Sequence, residues 1–341
     1  MPQPRSAAIL GCLGPRLRAE ERAFFAEAQP WGFILFARNL ETPDQVRRLT
    51  DGLRNAVGWE APILIDQEGG RVQRLSPPHW RQHLPPLDQM ARAGTGGARS
   101  MELRAMLIGA EHRALGIDVN CTPMADVAEP CTHPILKNRC YGMEPGVVAA
   151  AGRAVANGLK AAGVLPVLKH MPGHGRAFVD SHLHLPVVED HAEVLRGHDF
   201  APFKALSDLK MGMTAHVVFT AFDPDRPATQ SPAIHRVIRE EIGFDGLLMT
   251  DDISMEALDG ALTDRARSSR AAGCDLVLHC NGDLDEMRQI VAASGSLEGA
   301  ALARAEAALA ERQTPNPIDI QAVEAELEAL LARGTAEIAR L

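Results

Sequence analysis

An eight-stranded α/β barrel is the fold this sequence predicts, and three observations predict it. Eight short apolar runs are spaced along the chain, segments of helical periodicity separate them, and charged or histidine-bearing residues gather at one end of the runs. The runs are Ala7–Cys12, Gly32–Phe36, Pro62–Asp66, Ile117–Cys121, Leu165–His170, Met211–Phe219, Gly246–Asp251 and Asp275–Cys280. Each is nearly continuous in apolar residues, as a parallel strand buried on both faces must be. Strands alternating with helices indicate a parallel sheet, and eight of them a closed (β/α)8 barrel, with a doubly wound open sheet as the alternative.

Between the runs, Glu20–Ala28, Pro43–Val57, Arg99–Leu115, Pro145–Ala162, Val194–Leu209, Pro232–Glu241 and Met255–Ala272 each carry one apolar stripe at helical spacing. Thr42-Pro43 and Ser231-Pro232 set an N-cap before a first-turn proline. Gly116, Gly163, Gly243 and Gly273 follow helical stretches and precede strands, where a chain-reversing glycine belongs. The tail reads as a charged amphipathic helix packed on the barrel exterior, with a dimer contact as the other use of that face. No linker or repeat divides the chain, so one domain over 1–341 is expected, with 316–341 as the appended helix.

Bulk composition removes several classes of function. A net charge of -9 over 341 residues leaves no basic footprint for nucleic acid. No apolar run approaches the roughly 20 residues that a membrane span requires, and Ala7–Leu13 lacks the length and flanks of a signal peptide. The six cysteines form no C-x-x-C pair and several sit in strand-like runs, which suits reduced thiols in the cytoplasm. Aromatic residues are only 4%, so the core must come from aliphatic side chains.

Barrel active sites lie at the C-terminal ends of the strands. Here those ends read Arg38-Asn39, Asp66-Gln67-Glu68, Asp126, Lys169-His170, His216, Asp251-Asp252 and Asn281, whereas the strand starts carry little charge. Charge is rarely buried without a partner, so the asymmetry points to one polar pocket. The richest stretch is Leu165–Pro186, LPVLKHMPGHGRAFVDSHLHLP, and six of the 13 histidines fall between His170 and His198.

Four constellations stand out within that frame. Asp251 ends a buried strand and could be a nucleophile, a general base or a metal ligand, while Asp252 is better placed to cap the following helix. In Asp180-Ser181-His182, residues two apart in extended chain face the same side, so Asp180 could orient His182 for proton transfer, or the three could form an ordinary turn. Asp66-Gln67-Glu68-Gly69-Gly70-Arg71-Val72-Gln73-Arg74 permits either a tight turn against a ligand or a salt-bridged turn. Arg139-Cys140-Tyr141-Gly142 alone decides nothing. His170, His174, His182 and His184 could hold zinc with Asp66 or Asp251, yet their spacings match no compact zinc pattern.

Assembled, these segments resemble the single-domain bacterial β-N-acetylglucosaminidases of glycoside hydrolase family 3. The likeness rests on ILFARN at 34–39, IDQEGGRVQRL at 65–75, NCTPMADV at 120–127 and RCYG at 139–142. KHMPGHG at 169–175, DSH at 180–182, AHVVF at 215–219, GFDGLLMTDDISM at 243–255 and AGCDLVL at 272–278 complete it. Met171 stands where Phe is more frequent in the family, and Cys140 where Ser is common.

The resemblance implies a retaining hydrolase that removes terminal β-linked N-acetylglucosamine, typically from muropeptides in peptidoglycan recycling, with no metal or cofactor. It implies Asp251 as nucleophile, His182 paired with Asp180 as general acid/base, and Asp66, Arg74, Arg139, Lys169 and His170 as sugar-binding residues. That departs from the two carboxylates usual in retaining enzymes. The expected partner is a small carbohydrate, without nucleic acid or membrane, for a monomer or weak homodimer. Two other readings set against this one are a metal-dependent barrel amidohydrolase and a non-catalytic sugar-binding barrel.

Overall fold

The structure is a computed structural model that describes residues 4–179, 184–315 and 317–338. Its centre is a parallel barrel of strands β1 (Ser6–Gly11), β2 (Pro30–Leu35), β3 (Ile63–Ile65), β4 (Val119–Asn120), β5 (Leu165–Pro166 and Leu168–Met171), β6 (Met211–Thr214), β7 (Leu247–Asp252) and β8 (Leu276–His279). The hydrogen-bonded order begins and ends with the two pieces of β5, which are separated only by Val167. Leu165 registers with Val119 on one side and Leu168 with Gly212 on the other, so the sheet closes on itself. All eight expected strands are present, in the expected order.

Burial on both faces explains why those runs look continuous in sequence. Ala7 and Ile9 point into the barrel among Trp31, Leu64, Val167 and Met249, whereas Ala8 and Leu10 pack outward on Phe25, Leu49 and Leu53. The interior therefore fills with side chains and the barrel is a packed core, not a pore. Ala305 and Ala308 of the helix Gly299–Ala310 join this interior cluster beside residues that begin their strands, and so cover the N-terminal end. The open end is the other one.

Local signals behave as their chemistry dictates. Thr42 and Ser231 accept hydrogen bonds from the Gln45 and Ile234 N–H groups, capping their helices. Gly116, Gly163, Gly243 and Gly273 all have positive φ. All six cysteines are free, and five of them are buried. The helix Ile320–Ile338 lies on Pro86–Ala93 and Gly97–Ala114, tied by Arg81 to Glu324 at 2.6 Å and Arg99 to Glu326 at 2.8 Å.

Four details differ from the sequence reading. The single helix expected over Val194–Leu209 is two, Ala192–Gly197 and Ala201–Ala205, because Pro202 lacks an N–H to continue the first and suits the start of a second. The helix expected from Met255 begins only at Leu262, after Gly260 has turned the chain at positive φ. The run Met211–Phe219 supplies barrel strand only to Thr214, and Val218–Phe219 pairs instead with Val187–Val188 and Asp223–Pro227. Helices Pro86–Ala93, Leu284–Ser294 and Gly299–Ala310 were not anticipated; the last two follow the eighth strand, where alternation gives no cue.

Candidate active site

Just beyond β3 the chain makes a hairpin, Gln67–Gly69 against Val72–Gln73. Glycine is needed at its turn, since a Cβ on Gly69 would fall 1.7 Å from the Arg104 guanidinium and one on Gly70 2.8 Å from Pro85. The Gln67 side chain fixes the returning strand by accepting the Arg74 and Leu75 N–H groups at 2.7 and 3.0 Å. The hairpin thereby brings Asp66, Glu68 and Arg74 to the barrel mouth.

Across the mouth Lys169, near the end of β5, reaches Asp66 at 2.9 Å and Glu68 at 2.7 Å. Glu68 in turn receives two parallel bonds of 2.8 Å from Arg139, and Arg74 lies 3.3 Å from Asp66. Lys169 and Glu68 are each only 2% exposed, so each carries charge there only because opposite charges surround it, Asp66 and Glu68 about Lys169 and Lys169 and Arg139 about Glu68. Burial alone would push both carboxyls up; Lys169 and Arg74 hold Asp66 below its ordinary value, and Arg139 and Lys169 hold Glu68 well below. Burial opposes the Lys169 ammonium too, and Asp66 and Glu68 outweigh it, so its pKa is raised.

A second buried set stands beside the first. Asp126 Oδ2 lies 2.7 Å from His170 Nδ1, and its Oδ1 accepts the His174 N–H at 2.7 Å. The His174 ring meets that of His170 edge-on at 5.7 Å, and burial pushes His174 down to about 4, which keeps it neutral. The Lys169–His170 and Met171–Pro172 peptide bonds are cis.

Asp251 lies near the end of β7 and is partly exposed to the mouth. Burial would raise its pKa, but the imidazoles of His170 and His216, the Asp252 N–H and Lys169 bring it down to about 2. His216 is clamped on both ring nitrogens. Its Nε2 lies 3.0 Å from the Asp252 carbonyl, which only accepts, so Nε2 carries the proton and Nδ1 receives the Thr229 hydroxyl at 2.7 Å. Burial lowers its pKa, so this neutral tautomer is the resting form.

Asp252 does different work. It accepts the Ser254 hydroxyl at 2.8 Å and the Ser254 and Cys280 N–H groups at 3.1 and 3.3 Å. That is the capping role expected of it, except that it holds a turn after β7 instead of a helix.

Asp66, Arg74, Arg139, Lys169, His170 and Asp251 all line one cavity of about 260 Å³, walled further by Phe36, Met213, Met255 and Leu278. The expected acid/base pair, Asp180 and His182, lies outside the described residues. Glu68, Asp126 and His216 belong to the site's support although the sequence reading gave them no roles; their strand-end positions were the available signal. Arg38, Asn39 and Asn281 share that signal yet serve the scaffold, bonding the Cys12 carbonyl, the Cys12 and Gly14 carbonyls, and Glu286 respectively. Among the described residues no group of three or more His, Cys, Asp or Glu is placed to share a metal ion.

An ionised carboxylate facing a wall of fixed donors and acceptors is equipped to attack a polar, hydroxyl-rich substrate. Over residues 5–311 the chain matches the family described as "Glycosyl hydrolase family 3 N terminal domain". It belongs to glycosyl hydrolase family 3. Among its relatives, a beta-hexosaminidase of Methylococcus capsulatus is 38% identical over 79% of this chain and 81% of its own length. A family 3 β-N-acetylglucosaminidase from Paenibacillus superposes with a TM-score of 0.84 at 30% identity, over 96% of this chain and 66% of that one. NagZ from Neisseria gonorrhoeae, solved in complex with N-trifluoroacetyl-D-glucosamine, gives 0.83 at 29% identity over 96% and 98%. This family 3 chain is therefore a glycoside hydrolase.

Proposed function

We propose that this hydrolase is a retaining exo-β-N-acetylglucosaminidase acting through Asp251 as nucleophile. The observation that carries the reading is the state of Asp251: a carboxylate kept ionised near the end of β7, beside His170 and opposite the Asp66–Lys169–Glu68–Arg139 network. Lys and Arg donors and the Asp66 acceptor suit the hydroxyls of one pyranose ring, with Asp66, Arg74, Arg139, Lys169 and His170 as its binding residues. The relatives named as beta-hexosaminidase and β-N-acetylglucosaminidase support the N-acetylglucosaminide preference.

In the proposed reaction an Asp251 oxygen bonds to the anomeric carbon while the glycosidic bond breaks. The departing oxygen takes a proton from the His182 imidazolium, which Asp180 stabilises. Neutral His182 then takes a proton from water, the water oxygen attacks the anomeric carbon, and the ester to Asp251 breaks. Two inversions give net retention, and Asp251 ends as the carboxylate it began as.

Muropeptides of peptidoglycan recycling, cleaved in the cytoplasm by a monomer or weak homodimer, complete the proposal and rest on the family resemblance. No helix of the described chain is long and apolar enough to cross a membrane. The deciding experiment is incubation with a 5-fluoro N-acetyl-β-glucosaminyl fluoride, which keeps the 2-acetamido group and a good leaving group, followed by peptide mapping. A sugar adduct on the peptide containing Asp251 is expected; an adduct on any other residue overturns the nucleophile assignment.

A further inference from the structure

Every cation on the cavity floor is already committed to a carboxylate, and one cation at its rim is not. Arg74 pairs with Asp66, Lys169 with Asp66 and Glu68, and Arg139 with Glu68. Arg71 also lines the cavity, but it is exposed, and among the described residues no carboxylate pairs with it. Its Nη1 donates to the Ile135 carbonyl at 3.1 Å. A guanidinium has five N–H donors in a rigid fork, so a single anchoring bond orients it and leaves most of the fork for a ligand.

Its place in the fold separates it from the sugar-binding floor. Arg71 sits between the two strands of the hairpin Gln67–Gly69 and Val72–Gln73, beside Gly70 at positive φ. The anchor, Ile135, belongs to the short helix Pro134–Lys137 and lines the same cavity. An unpaired arginine held at the lip of a pocket runs against the overall charge of -9. Apart from Asp251, the carboxylates of the cavity are spoken for as well: Asp66 by Lys169 and Arg74, Asp252 by Ser254 and the Cys280 N–H.

We propose that Arg71 is a specificity-determining residue that recognises a carboxylate on the aglycone, the part of the substrate that leaves. The inference rests on the exo-glycosidase reading above. A ring bound on the floor against Asp251 projects its anomeric substituent toward the exposed lip, where the guanidinium fork matches a planar carboxylate bidentately. One cation suits a monoanion better than a phosphate dianion. A sugar bearing a lactyl ether is the simplest aglycone of this kind.

A matched pair of disaccharides tests it: N-acetylglucosaminyl-β-1,4-N-acetylmuramic acid and N,N′-diacetylchitobiose, which differ only in the 3-O-lactyl ether that carries the carboxylate; the methyl ester of the first, which keeps the ether without the charge, is the control. The wild type should favour the anionic disaccharide in kcat/KM by about tenfold, as a partly exposed charge-assisted bond provides. In Arg71→Gln that ratio should collapse toward one, mostly through KM, and in Arg71→Glu it should invert. Raised salt should shrink the wild-type ratio. A ratio near one in the wild type, or an equal loss on both substrates in Arg71→Gln with the ratio kept, overturns the proposal and leaves Arg71 as a staple between hairpin and helix. A neutral aryl N-acetyl-β-glucosaminide is run in parallel. Failure of the wild type to cleave it would overturn the exo-glycosidase reading itself, a result distinct from the loss of aglycone preference.

Discussion

Asp126 is fully buried, and its Oδ2 lies 2.7 Å from Nδ1 of His170. A carboxylate only accepts, so Nδ1 is held as the protonated nitrogen and Nε2 is left for the cavity. The other Asp126 oxygen accepts the His174 N–H at 2.7 Å, which ties the Pro-Gly-His-Gly turn to the same anchor. Burial would raise the Asp126 pKa, and His170 holds it down, so the anchor stays charged.

Asp126→Asn keeps the shape but replaces a charged acceptor with an amide that cannot satisfy both partners equally. A hydrogen bond to a charged group is worth about 1.5–3 kcal/mol, which converts to roughly a 10- to 100-fold loss in kcat/KM on an aryl N-acetylglucosaminide. Because the residue acts through His170, KM should rise along with the fall in kcat. Wild-type kinetics in a variant with an unchanged melting curve would show that His170 needs no such orientation.

Glu68 is expected to contribute to the acid limit of the fold, with Asp66, Asp126 and Asp251, whose carboxyls are also held down. Its carboxyl is held far below the ordinary glutamate value by Arg139 and Lys169 against the opposing effect of burial. A depressed folded pKa means that the stabilisation is fully present above the unfolded value of about 4.3 and drains away as pH falls below it toward the folded value. Glu68→Gln leaves buried Arg139 without its carboxylate and Lys169 with Asp66 alone, and should cost about 3–5 kcal/mol at neutral pH. It should also flatten the decline of stability below about pH 4. Urea melts of both proteins across that range measure the two effects together. An undiminished acid slope in the variant would assign the acid limit to other carboxylates.

How much of this was legible in the chain differs from residue to residue. Lys169 and His170 could be read because charge has no place inside a buried strand, so a strand ending in Lys-His must open onto something. Asp251 was visible for the same reason. Glu68 was visible only as a strand-end charge without a role, since a carboxylate next to two glycines reads equally well as a salt-bridged turn. Its partner Arg139 lies 71 residues away, and no local periodicity reports such a pairing. The Asp126–His170 pair, 44 residues apart, escaped for the same cause. Strand closure was legible only as a count of eight; the break at Val167 that lets β5 pair on both sides had no sequence cue.

Asp251 should be ready to attack over nearly the whole accessible pH range. With its carboxyl brought down to about 2, the acid limb of kcat/KM cannot report its ionisation at ordinary assay pH. For an aryl glycoside whose leaving group departs without protonation, kcat/KM should stay flat down to roughly pH 4. A poor leaving group needs the acid, so its rate should fall as pH rises through the pKa of the acid/base. Asp251→Ala should abolish turnover of both. A limb near pH 5 with the activated substrate would mean that the surrounding histidines do not hold the carboxylate down.

The packing of helix Pro145–Ala161 on Gly97–Ala114 gives a prediction independent of catalysis. A Cβ on Gly158 would lie 2.3 Å from the Glu102 carbonyl oxygen and 2.8 Å from the Ala105 Cβ. Alanine is the better helix former by about 1 kcal/mol, but this overlap is with backbone, which cannot rotate away, and overpacking costs about 1–3 kcal/mol or more. The clash should win. Gly158→Ala is expected to lower Tm by about 1–4 °C, whereas Gly146→Ala on the same helix, where a Cβ meets nothing within 4 Å, should leave Tm unchanged or raise it. Scanning calorimetry of the two variants side by side measures the difference. A gain in Tm for Gly158→Ala would mean that the helices can separate at no cost, and that close backbone approach is not what sets their distance.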